Sequence, residues 1–182
     1  MAGRVDARLK ELGIVLPKPG PVQGAYVPWV KSATFLFISG QITMGPNGLE
    51  YAGTLGLDMN VDFGRKAARL AAINVLSQAA DALEGNLDRV TRVVKVTGFV
   101  AATQNFHQHP EVINGASELF VDVFGELGRH ARAAIVWASL PAGSAGGGGP
   151  ASDPSSRPSS SMSALTGAMF SLGPMGWRAG PR

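Results

Sequence analysis

Two hydrophobic rhythms run along the chain, and the switches between them mark out its elements. Val5, Leu9 and Leu12 recur at helical spacing before Gly13, predicting a short amphipathic helix over residues 3–13 that clasps a core rather than forming one. Residues 16–24 alternate Pro and Gly and read as extended surface chain. Two β-rich runs, 26–30 and 34–42, are separated by a short link and predict a hairpin, after which a Pro46-Asn47-Gly48 turn leads into a run over 49–55. Ala68, Ala72, Val75, Leu76, Ala79 and Leu83 make one stripe of a long helix over 61–84, with Asp58 or Asn60 to cap it and Gly85 to end it. Residues 90–102 predict a strand apolar on both faces, Val94, Val96 and Val100 on one and Val93 and Phe99 on the other. A second helix is predicted over about 110–124, with Pro110 in its first turn and a stripe of Val112, Ile113, Ala116, Leu119, Phe120, Val123 and Phe124. The closing strand covers 131–140.

This order predicts an α+β domain with a mixed β-sheet, because each helix joins strands that can run parallel while the first strands look antiparallel. Two helices packed on one face leave the other uncovered. Residues such as Phe37, Val94 and Val136 would then form an apolar patch of the kind that marks an interface, which points to a closed oligomer.

The closing strand carries the candidate chemistry. In Gly128-Arg-His-Ala-Arg-Ala-Ala-Ile-Val-Trp-Ala-Ser-Leu-Pro141, the even positions Arg132, Ala134, Val136, Ala138 and Leu140 share one face, so Arg132 heads a row of small and apolar residues. A guanidinium keeps its proton and offers a planar fork of donors, which suits it to hold a carboxylate. The spacing alone equally describes an edge-strand arginine that meets solvent or a surface acid, the commoner situation.

This strand resembles the closing signature of the RidA family, the YjgF-type reactive-intermediate deaminases. Phe35-Leu36-Phe37-Ile38-Ser39-Gly40-Gln41-Ile42 is similar to that family's early strand ending in Ser-Gly-Gln, and Val112-Ile113-Asn114-Gly115-Ala116 resembles the start of its second helix. The likeness covers roughly residues 3–141 in the expected order. It implies a chorismate-mutase-like subunit, a homotrimer with pockets between neighbours, and a site in which Arg132 is catalytic while Tyr26, Ser39, Gly40 and Asn114 line the pocket. It implies no cofactor.

Composition narrows the alternatives. With 45% hydrophobic residues in 182, one domain with a real core is expected, and the absence of cysteine excludes disulfides, a thiol nucleophile and thiolate metal sites. No apolar run is long enough to span a bilayer and the first residues carry charges, so the expected setting is cytoplasmic, with no membrane partner. Of the net charge of +3, residues 142–182 hold +2; residues 1–141 carry 13 basic against 12 acidic side chains, which argues against a nucleic-acid partner. Gly, Pro and Ser make up 23 of the last 41 residues, so 142–182 is expected to be a low-complexity, disordered tail, and removal of 143–182 is expected to leave folding cooperative. The Gly146–Gly149 run lacks the Lys-Ser/Thr of a phosphate loop. The resemblance would place a last strand just after Pro141 with an acidic residue facing the pocket, and the expectation here is that the tail replaces it. No glutamate follows Glu126, and a diverged, misread or frame-shifted terminus would account for the change of composition.

Ser39 lacks the Gly-x-Ser-x-Gly elbow and an adjacent histidine, so its simplest role is a strand-end hydroxyl making a local hydrogen bond. Tyr26 reads as an amphipathic residue in a β segment, and Asn114 as a polar position on a helix. His107 and His109, two apart in a loop without a nearby carboxylate, make a weak metal site, and no metal is expected. His130 reads as a solvated turn residue able to titrate near neutrality. The leading expectation is hydrolysis of enamine or imine acids such as 2-aminoacrylate to 2-keto acids and ammonia. A non-catalytic trimer that binds a small carboxylate, or an endoribonuclease-type member, stands as the alternative.

Overall fold

The computed structural model describes residues 3–20, 24–137 and 164–173. In chain order these form α1 (Arg4–Glu11), β1 (Trp29–Ser32), β2 (Phe35–Ile42), β3 (Met44–Gly45), β4 (Gly48–Leu49), α2 (Val61–Ala82), β5 (Val90–Ala101), α3 (His109–Phe124), β6 (Ala131–Trp137) and β7 (Ala164–Leu172). Five strands make one sheet in the order β1-β2-β7-β5-β6; β3 and β4 pair as a separate small hairpin. β1 and β2 are antiparallel, β5 and β6 parallel, and β7 runs antiparallel to both β2 and β5. This is the predicted mixed sheet in an α+β domain with its helices on one face.

Both helical stripes read from the sequence are buried. All six α2 stripe residues are at most 1% exposed, and the α3 stripe from Val112 to Phe124 faces the same core. Of the two cap candidates Asn60 does the capping, its side chain accepting from the Phe63 amide at 2.9 Å, while Asp58 accepts from the Thr54 amide. Gly115 explains how tightly α2 and α3 meet, since a Cβ there would lie 2.0 Å from the Arg65 carbonyl oxygen. Only a residue without a side chain permits that approach, and it fixes the height at which Asn114 and Ser117 leave α3. α1 is the expected clasp: Val5 and Leu9 are buried, and the Arg4 and Val5 amides donate to the Asp88 carboxylate.

Three expectations about strand extents and faces need correction. The run over 49–55 forms only the two-residue β4, after which Leu55 makes isolated bridges to Met59 and Ala102. The faces of β5 are not those of strict alternation. The ladder to β7 shifts register between Val93 and Lys95, so Val93 joins Val96 and Val100 in the core while Val94 leaves it. Val136 pairs in register with Val100 and packs against the helix-side core, so it does not belong to the uncovered face.

The largest correction concerns residues 142–182. Part of that stretch, Ala164–Leu172, is the central strand β7 and not a tail. Thr166, Ala168, Phe170 and Leu172 point to the core, and Phe170 is fully buried with its ring edge-on to Phe120 and Phe124. β7 lies between β2 and β5, antiparallel to both, and satisfies the backbone groups on their facing edges. The expectations for 138–163 and 174–182 lie outside the described residues.

Candidate functional site

Arg132 opens β6 on the helix-side face, in register with Val96, and meets the N-terminal half of α3. Its Nη1 donates to Asn114 Oδ1 at 2.7 Å and to Ser117 Oγ at 3.3 Å. Both acceptors are neutral. Among the described residues no carboxylate forms an ion pair with Arg132, whereas Arg4, Arg8, Arg65, Arg69 and Arg129 each have one. Nη2 and Nε, the other edge of the fork, bond to none of the described residues. An exposed guanidinium held by one edge and open along the other is a receptor for a planar anion such as a carboxylate.

Behind Arg132 the network continues. Ser117 Oγ lies 3.0 Å from His130 Nε2, and His130 Nδ1 lies 2.6 Å from the Gly128 carbonyl oxygen. Burial pushes the His130 imidazole below its ordinary pKa; the bond to the Gly128 carbonyl opposes this, and the charge of Arg132 adds to it. The ring also packs edge-on against Phe120. His130 is therefore no solvated turn residue, which corrects the sequence expectation. Gly128 allows the arrangement, because a Cβ there would strike the Phe120 carbonyl at 2.1 Å and push the turn away from α3. Ser117 was not singled out from the sequence, although it lies one turn beyond Asn114, and His130 shares the parity of Arg132.

The remaining candidates lie elsewhere in the chain. Ser39 Oγ donates to the Val27 carbonyl at 2.7 Å, the local bond expected of it. Ser39 and exposed Gly40 sit where the β2 ladder to β7 slips between Ile38 and Gln41. Tyr26 is 52% exposed and precedes β1, so it belongs to no strand, contrary to expectation. β7 and β5 separate β2 from β6, three interstrand steps or roughly 14 Å at about 4.8 Å each. One chain thus brings Asn114 and Arg132 together, and keeps Tyr26, Ser39 and Gly40 apart from them.

His109 opens α3 and His107 lies in the loop before it; no group of three or more His, Asp or Glu side chains gathers among the described residues. No helix among them is long and apolar enough to cross a membrane. A hollow of about 280 Å³ between α2 and α3 is lined by Asp62, Arg65, Lys66, Arg69, Gly115 and Glu118. Its two arginines are already paired, with Glu118 and Asp122, and neither Arg132 nor its partners line it.

A mixed sheet with two helices on one face, with an arginine presented near the start of its edge strand, defines a small α+β domain. Residues 6–145 match the model of the family described as "YjgF/chorismate_mutase-like, putative endoribonuclease", and the chain belongs to that family. It is 46% identical over 145 residues to Protein TCP17 of Trypanosoma cruzi, which spans 79% of this chain and 90% of that protein. Among solved structures, the Agrobacterium tumefaciens protein Atu1372 superposes with a TM-score of 0.78 at 37% identity, covering 93% of each chain. A Shewanella oneidensis protein described as a putative endoribonuclease does so with a TM-score of 0.79 at 29% identity, covering 92% of this chain and 99% of that one.

Proposed function

We propose that the protein deaminates short-lived enamine and imine acids such as 2-aminoacrylate, releasing 2-keto acids and ammonia, with Arg132 holding the substrate carboxylate. The observation that carries this reading is the open edge of Arg132, free of any carboxylate among the described residues and held from behind by Asn114 and Ser117. Protonation of the enamine carbon gives the 2-imino acid. Water adds to the imine carbon, and the resulting carbinolamine expels ammonia to leave the keto acid. Such a substrate is already activated, so orientation and a fixed positive charge supply most of what the step needs.

The pocket is shared between copies. Tyr26, Ser39 and Gly40 of one subunit complete the site of Arg132 and Asn114 of its neighbour, in a homotrimer closed through the uncovered sheet face. The separation of the two groups within one chain supports this, as does the exposure of Phe35 and Phe37 on that face.

A second reading has its own support. β7 stands where the resemblance expects an acid-bearing strand, yet Ala164–Leu172 contains neither Asp nor Glu. A trimer that binds a small carboxylate without turning it over fits that strand equally well. The test generates 2-aminoacrylate with a pyridoxal-phosphate dehydratase and follows its conversion by the full chain. Faster release of keto acid and ammonia than in the protein-free control supports the deaminase. Saturable binding of pyruvate without turnover supports the binding protein. RNA cleavage with neither would move the protein to the endoribonuclease reading.

A further inference from the structure

Ser117 and His130 form a directed chain of hydrogen bonds that ends on Arg132. A carbonyl oxygen can only accept, so the bond from His130 Nδ1 to Gly128 places the ring proton on Nδ1. The ring is neutral at neutral pH, because burial disfavours its charged form, and Nε2 is left as an acceptor. The single hydrogen of Ser117 is then committed to Nε2, and its lone pairs are turned toward Arg132 Nη1. We propose that His130 and Ser117 are positioning residues: His130 orients the Ser117 hydroxyl so that its oxygen and Asn114 Oδ1 hold one edge of the guanidinium, aiming Nη2 and Nε at the ligand carboxylate. The proposal rests on the reading of Arg132 as carboxylate anchor.

The relay distinguishes two kinds of partner. Asn114 alone would fix one point of the guanidinium and leave it free to swing, whereas a second acceptor on the same nitrogen restrains the plane of the fork. A serine free to rotate could offer Arg132 its hydrogen instead of its oxygen. The histidine removes that choice.

The test uses the full chain with pyruvate as probe, and 15N NMR of the His130 ring and the Arg132 Nε–H. Wild type should show the Nδ1–H tautomer and a slowly exchanging Arg132 Nε–H. Ser117→Ala should weaken pyruvate binding roughly three- to ten-fold, an indirect loss smaller than that of removing a direct charge-assisted bond, and speed Arg132 Nε–H exchange. Ser117→Thr, which keeps the hydroxyl, should restore both. His130→Phe, which keeps a ring beside Phe120, should match Ser117→Ala, and the double variant should be no worse than either single one. In an Arg132→Ala background none of these changes should matter. An Nε2–H tautomer, additive losses, or a Ser117→Ala effect that survives Arg132→Ala would overturn the proposal. Wild type that fails to bind pyruvate would refute the anchor alone, while the ring tautomer and Arg132 Nε–H exchange would still decide the relay.

Discussion

At Arg132 one edge of the guanidinium is occupied by two neutral acceptors, so the charge of the side chain is held in place without being neutralised. The same environment governs His130. Its folded pKa is lowered, mainly by burial, so between that value and the ordinary one of about 6.5 the unfolded chain binds the extra proton. Stability contributed by the neutral ring is therefore complete above the ordinary pKa and is lost as pH falls through it toward the folded value. Urea unfolding across pH 5 to 8 should show this acid loss, and His130→Gln should flatten it; an unchanged slope would mean the ring is not held neutral. Arg132 and Asn114 were legible because a strand period and a known motif single them out. Ser117 was not, since a serine on a helix acquires meaning only when His130, thirteen residues away in the turn from Gly128 to Arg132, folds back upon it.

At the scale of elements, β7 carries the most consequence per residue. Within the sheet of the described residues it joins β1-β2 to β5-β6, and the Phe170 ring packs edge-on against both Phe120 and Phe124. Phe170→Ala should destabilise the domain by about 3–5 kcal/mol in chemical denaturation, as expected for loss of a buried aromatic ring. Thr166 is fully buried and its hydroxyl has no partner among the described residues, so Thr166→Val should stabilise by about 1 kcal/mol; a loss would reveal a hydrogen bond to the hydroxyl. β7 escaped the sequence reading because its core-facing residues include Thr166 and Ala168, which carry little hydrophobic signal, and because Gly, Pro and Ser dominate its surroundings. α2 and α3 were legible for the opposite reason, since each repeats a strong apolar stripe over several turns. The faces of β5 were not, because a bulge changes parity without changing the residues.

For the whole molecule, the uncovered side of the sheet exposes Val30, Phe35, Phe37 and Ile135, the last four strands away from the first. A face this apolar spread across a sheet favours self-association, and the chain of 18.9 kDa should sediment at about three times that mass. Phe37→Glu, which places a charge in the exposed row, should release monomers while leaving the core intact; a wild-type monomer at micromolar concentration would dismiss the shared pocket. The central claim is met most directly by comparing wild type, Arg132→Lys and Arg132→Ala in 2-aminoacrylate hydrolysis. A charge-assisted hydrogen bond contributes about 1.5 to 3 kcal/mol, so Arg132→Ala should lower kcat/KM by roughly ten- to more than a hundred-fold. Arg132→Lys should recover only part, because an ammonium lacks the planar fork. Equal activity in wild type and Arg132→Ala would contradict the account.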